Sequence, residues 1–263
     1  MPRIRMKQDN LNQRNAEFAQ APLRAPVFLN SVPKSGTHLL RNILRMFVPV
    51  AQQYHDTFVQ LPNLAQHAGP AFGPAEPKLS WGHLLFSDES AIATRAARHI
   101  LLVRDPNTWV LARARFYASE NFDAGLQLLK GQEVSSEALL NVMIFGLHGK
   151  VPAMQDVYTF NAAAWLGTGV CLCRYEDIAR HLSNIDSPET EAWFRNLLEA
   201  CGITMPADWK ARVLIGADRK QSATARENLQ VDEGRIPATL PEAQKRLIEV
   251  AMPGMRALLG YTD

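Results

Sequence analysis

The sequence predicts an α/β chain of three layers, α/β/α. A central, mostly parallel sheet would lie between helices, with a phosphate-binding strand-loop-helix near its start. Three observations carry this expectation. Short apolar runs with β character occur at residues 26–31, 99–103 and 170–173. Each gives way to turn residues and then to a segment of helical character. The runs are apolar at successive positions rather than alternate ones, which suits a sheet covered on both faces.

The elements follow in order. Residues 1–25 are polar and read as a flexible N-terminal arm, leaving 26–263 as a single domain. Pro26-Val27-Phe28-Leu29-Asn30-Ser31 reads as the first strand. Leu39, Leu40, Ile43, Leu44 and Phe47 then recur at helical spacing, with Arg41 and Arg45 off that stripe. Residues 48–80, rich in Pro, Gln, Ala and Gly, show no clear period. The run 99–103 reads as a second strand ending at Arg104-Asp105-Pro106, with a helix from Asn107 or Thr108. The run 170–173 reads as a third strand entering Arg174-Tyr175-Glu176-Asp177 and another helix. Residues 157–165 read as a core helix, and further helices are expected at 189–200 and 241–251. The charged stretch 218–235 reads as a mobile loop.

Composition limits the function. The chain has 263 residues, enough to bury a full core, and is 47% hydrophobic and 21% charged. A net charge of +2 is too small to argue for nucleic-acid binding. Three cysteines, Cys171, Cys173 and Cys201, cannot build a disulfide framework, so a reducing, cytoplasmic setting is expected. No segment approaches the ~20 apolar residues of a membrane span, and residues 1–24 lack a signal-peptide core. The seven histidines show no paired metal-ligand spacing, so no metal is expected.

The segment Val32-Pro33-Lys34-Ser35-Gly36-Thr37 joins the first strand to the first helix. The opening amides of a helix lack intrahelical partners and carry partial positive charge, so they attract anions. Gly36 permits close backbone approach, Lys34 adds a full charge, and Ser35 and Thr37 add hydroxyl donors. Read alone, the loop is either such an anion site or a plain strand-to-helix turn capped by Ser35 or Thr37. It is not the Walker loop, because Lys34 precedes the glycine.

Several segments together resemble the sulfotransferases that use 3′-phosphoadenosine-5′-phosphosulfate (PAPS) and release 3′-phosphoadenosine-5′-phosphate (PAP). Pro33-Lys34-Ser35-Gly36-Thr37 resembles their 5′-phosphosulfate loop, and Leu102-Val103-Arg104-Asp105-Pro106 their 3′-phosphate strand and loop. Lys78-Leu79-Ser80-Trp81-Gly82-His83-Leu84 resembles the strand carrying the catalytic histidine, and Arg174-Tyr175-Glu176-Asp177 the segment after a later strand. The resemblance spans roughly 26–260 and implies sulfuryl transfer to a hydroxyl of a small molecule or carbohydrate. It implies His83 as the base and Lys34 at the leaving phosphate. It implies donor binding by Lys34, Ser35, Gly36, Thr37, His38, Arg104, Tyr175 and Arg226, with Tyr175 near the adenine.

The chain departs from the pattern in four places. His38 and Leu39 stand where the family often has Thr and the adenine-stacking Trp. Ala112 stands where a Ser is usual, with Arg113 or Arg115 as possible compensation. The late Arg-Lys-Gly loop has its nearest match at Thr224-Ala225-Arg226-Glu227-Asn228, after Arg219 and Lys220. Two other readings compete: a nucleotide-dependent phosphotransferase with an atypical P-loop, and a non-catalytic scaffold of the same fold. The run 101–103 leads to Arg104 rather than to an acidic metal ligand, which weighs against the former. Retention of Lys34 and His83 weighs against the latter.

Overall fold

The structure is a computed structural model that describes residues 3–4, 8–123, 125–131, 133–221, 229, 231 and 234–261. Its centre is a four-stranded sheet made of β1 (Val27–Ser31), β2 (Leu79–Gly82), β3 (Arg98–Val103) and β4 (Cys171–Arg174). The order across the sheet is β2-β1-β3-β4 and every pairing is parallel. Leu29 sits between Trp81 and Ile100 in the register. The carboxyl ends of all four strands therefore open on one edge, where α/β sheets bind ligands.

Helices cover both faces, as the apolar runs require. They are α1 (Thr37–Arg45), α2 (Pro106–Ala118), α3 (Ser136–Phe145), α4 (Met154–Asn161), α5 (Tyr175–Ser183), α6 (Pro188–Ala200) and α7 (Trp209–Ala217), with a late helix at Glu242–Ala251. Val27, Leu29, Ile100 and Leu102 pack on Leu40, Ile43 and Leu44 of α1, Phe194 and Leu198 of α6 and Val213 of α7. Phe28, Leu101 and Val103 point the other way, into Trp109 and Val110 of α2, Leu140 and Met143 of α3 and Tyr158 of α4. Successive strand residues feed opposite cores, so both parities must be apolar.

The expected N-terminal arm is corrected for residues 8–25, which are tied down on α1 and α7. Leu11 is fully buried in the short helix Leu11–Asn15. The buried Arg45 donates to both Asp9 oxygens at 2.8 and 3.2 Å and to Asn12 Oδ1 at 2.7 Å. Arg212 donates to the Ala19 carbonyl at 2.7 Å. The polar side chains that suggested a free arm are the ones that pair with these two buried cations. Residues 48–80, without period in the sequence, contain the helix Leu64–Phe72, which holds Pro70. Most of the expected 218–235 loop lies outside the described residues. No helix among the described residues is long and apolar enough to cross a membrane.

Candidate functional site

The site forms where β1 ends and α1 begins. Lys34 (φ 68°) and Gly36 (φ 92°) both take left-handed backbone conformations, which turn the chain sharply. Gly36 is required twice. A Cβ there would be strained by the dihedral and would lie 2.5 Å from Cδ2 of Tyr175, whose ring packs on the loop. On the other side, the buried Trp109 of α2 donates its indole N–H to the Pro33 carbonyl. The loop is thus clamped between α2 and the start of α5.

His83 follows β2 and reaches the same loop. Its Nδ1 lies 2.8 Å from the Ser31 carbonyl, which only accepts, so Nδ1 carries the proton. Ser31 Oγ is also 3.0 Å from Nδ1 and 2.7 Å from Thr37 Oγ1. Nε2 is then the basic nitrogen, and it makes no hydrogen bond to a described residue. Burial pushes the ring's pKa down to about 4, with Lys34 adding to the shift and backbone hydrogen bonds opposing it. The imidazole is neutral at pH 7 with its lone pair free.

Lys34 lies over the Phe116 ring, 3.8 Å from its centroid, with no carboxylate partner among the described residues. Burial, reinforced by the charge of Arg104, lowers its pKa to about 7. Arg104 follows β3 and lies over the Tyr175 ring at 4.3 Å. Its Nε donates to Thr108 Oγ1 at 3.0 Å, and its carbonyl accepts from the buried Tyr158 hydroxyl at 2.8 Å. Asp105 pairs with Arg256 at 3.1 Å rather than with Arg104. Two cations, a helix start and a glycine turn thus converge, and neither cation makes an ion pair among the described residues.

The remaining expected residues divide. Ser35 is buried and its hydroxyl has no hydrogen-bond partner among the described residues, an orphan donor inside the loop. Thr37 bonds to Ser31. His38 stands edge-on to Trp81 at 5.3 Å, and burial, then the charges of Arg41 and Lys34, lower its pKa to about 3. Arg226 lies outside the described residues. Arg113 does not replace the missing serine, because it is buried and donates to the Met143 and Pro152 carbonyls. Arg115 donates to the Pro237 carbonyl at 3.2 Å.

The sequence reading missed the supports. Glu176 accepts from the Asp105 amide at 3.2 Å, from the Thr108 hydroxyl at 2.9 Å and from the Tyr261 hydroxyl at 3.0 Å. It joins the ends of β3 and β4 to the C-terminal segment. Tyr158 reads only as part of a core helix and Trp109 carries no motif, and only their O–H and N–H bonds show that they brace the loops. No spacing rule identifies such contacts.

The fit to a nucleotide phosphate rests on features of the loop itself. The orphaned Ser35 hydroxyl, the unpaired Lys34 and Arg104 and the Gly36 cradle all suit an anionic oxygen cluster. Among the described residues, no group of three or more His, Cys, Asp or Glu is placed to hold a metal ion.

No family sequence model and no curated protein sequence matches the chain. Solved structures do match. The chain is similar to mouse sulfotransferase SULT7A1 complexed with PAP, at 14% identity and a TM-score of 0.58, over 94% of this chain and 88% of that one. It is also similar to retinol dehydratase in complex with androsterone and the inactive cofactor PAP, at 13% identity and a TM-score of 0.51, over 90% and 81%. The chain has the fold of the PAPS-dependent sulfotransferases. The loop after β1 and the loop after β3 occupy the open edge of that fold's sheet.

Proposed function

We propose that this chain is a sulfotransferase that moves the sulfuryl group of PAPS to a hydroxyl of a small molecule or carbohydrate. The observation that carries the reading is the pairing of His83 with the Lys34 loop: Nδ1–H is fixed on the Ser31 carbonyl at 2.8 Å, and Nε2 is left free. PAPS supplies an activated sulfuryl group on its 5′-phosphate. Lys34 and the amides and hydroxyls of residues 35–37 hold that phosphate, and Lys34 offsets the charge that grows on its bridging oxygen. His38 lines the same end. His83 Nε2 takes the acceptor's hydroxyl proton as the new sulfur–oxygen bond forms and the old one breaks. Arg104 takes the 3′-phosphate, with Arg226 as a second contact, and Tyr175 lies against the adenine. The reading includes a cytoplasmic setting, supported by three cysteines that stand as free thiols.

The test is calorimetric titration with PAP and with ATP, followed by sulfuryl transfer assays on His83→Ala. PAP should bind and ATP should bind far more weakly. The variant should keep its PAP affinity and lose transfer by about two to four orders of magnitude. Clear binding of ATP with none of PAP would sink the reading, and full turnover by His83→Ala would remove that residue from the chemistry.

A further inference from the structure

Arg41 has no role in the scheme above, yet it is placed as a binding residue is placed. It projects from α1 one turn beyond the phosphate loop and lays its guanidinium over the Trp81 ring at 4.2 Å. It is partly buried and makes no hydrogen bond or ion pair with a described residue. Asp9, the carboxylate that acts on its charge, is held through both oxygens by Arg45. A stack on a ring uses the face of a guanidinium and leaves its N–H edge able to grip an anion bidentately. Holding such a group partly desolvated and unpaired is costly, and a ligand anion would offset that cost.

A wall of rings leads from Arg41 to the basic nitrogen. Trp81 packs on Phe58 at 5.4 Å, and Phe58 meets His83 edge-on at 5.0 Å. His38 also stands against Trp81 at 5.3 Å. Burial, then Arg45, pulls the Arg41 pKa down to about 10, and Arg41 in turn depresses His38. Lys34 and Arg41 both act on the His38 ring, as does His83, so the two cations and the basic nitrogen share this end of the molecule. No acidic side chain among the described residues is bonded to either.

We propose that the acceptor is itself an anion: it presents a hydroxyl to His83 and an acidic group to Arg41, with a flat apolar portion along Phe58 and Trp81. The inference rests on the sulfotransferase reading and narrows it. An acidic group of the donor is the competing occupant. Arg41 sits a helical turn away from the loop amides, which favours the acceptor.

The experiment titrates the PAP complex with matched aromatic alcohols, 4-hydroxyphenylacetate and its neutral amide. It uses wild type, Arg41→Met, which keeps the stem on Trp81, and Arg41→Lys. The acid should bind at least about tenfold more tightly than the amide to wild type, a gap within the range of one charge-assisted pair. Arg41→Met should erase that gap without changing PAP affinity or the melting temperature, and Arg41→Lys should keep part of it. Equal binding of acid and amide, binding of neither, or a gap that survives in Arg41→Met overturns the inference. Weakened PAP binding in Arg41→Met assigns the residue to the donor and also overturns it. Failure of wild type to bind PAP removes the sulfotransferase reading and this inference together. Normal PAP binding without the acid–amide gap removes this inference alone.

Discussion

Raising the pH from 7 to 9 should weaken PAP binding about fifty-fold through Lys34 alone. The side chain is held against Phe116 with Arg104 nearby, and its pKa in the free protein is about 7. A phosphate placed beside it favours the charged form, so the pKa rises on binding. The sign follows directly. Below the free value Lys34 is already protonated and adds no pH dependence. Above it, binding must take up a proton, and affinity falls until the bound value is reached. Between pH 7 and 9 the charged fraction of free Lys34 drops from about one half to about one hundredth, which costs binding about 2.3 kcal/mol. The phosphates of PAP, with a second pKa of about 6, are about nine-tenths ionised at pH 7 and add only a small slope of opposite sign. Calorimetry at pH 7, 8 and 9, at fixed ionic strength and in two buffers of different ionisation enthalpy, measures both the slope and the proton uptake. Uptake should approach one proton at pH 9. Lys34→Met should bind PAP weakly at every pH and show no slope from this source. A Kd unchanged between pH 7 and 9, or the same slope in Lys34→Met, would refute the reasoning.

Two further outcomes test the scaffold of the site. Gly36→Ala should cost about 1–3 kcal/mol through its left-handed dihedral alone, and more through contact with Tyr175. Urea unfolding and a PAP titration check this, and unaltered PAP affinity would show that the Gly36–Tyr175 contact does not shape the donor site. Arg45→Met should destabilise the chain by about 1.5–3 kcal/mol, because it removes the charge-assisted bonds that anchor residues 8–25 while leaving the partly exposed Asp9 to water. Hydrogen exchange should lose protection at Leu11–Asn15 first; unchanged protection there would show that the segment is held by Leu11 packing alone.

The sheet was legible because its strands feed two cores. The run 99–103 differs from β3 by one residue at its start, and the helix expected from Asn107 or Thr108 begins at Pro106. Proline supplies a helix-compatible φ at the first turn and needs no donor there, and Asp105 caps the Asn107 amide. The helix Leu64–Phe72 was hidden because Gly69 and Pro70 break the local propensity, and tertiary packing of Leu64, Ala71 and Phe72 overrides it. The strand-loop-helix at residues 32–37 was legible because its parts are local: a strand end, a turn glycine, a lysine and a helix start. Arg41 reads from spacing only as a residue off the apolar stripe. Its stacking partner Trp81 lies forty residues away on an edge strand, so only the fold brings them together. Arg113 erred in the same way, since its acceptors are carbonyls on other elements.

The departure at Ala112 has a physical answer one turn earlier on the same helix. Residues 108 and 112 are four apart on α2, so they share a face, and Thr108 stands nearer the helix start. Its hydroxyl accepts from Arg104 Nε at 3.0 Å and lies 2.9 Å from Glu176 Oε1, to which it donates. Arg104 is thus oriented at Nε by Thr108 and on its face by Tyr175, which leaves its two terminal nitrogens for a ligand. A serine at position 112 would offer a hydroxyl to the ligand, whereas Thr108 spends its hydroxyl on fixing the arginine. The chain therefore trades one direct donor for a preorganised guanidinium. On the proposed function, more of the donor grip would fall on Arg104 than in a template with both groups.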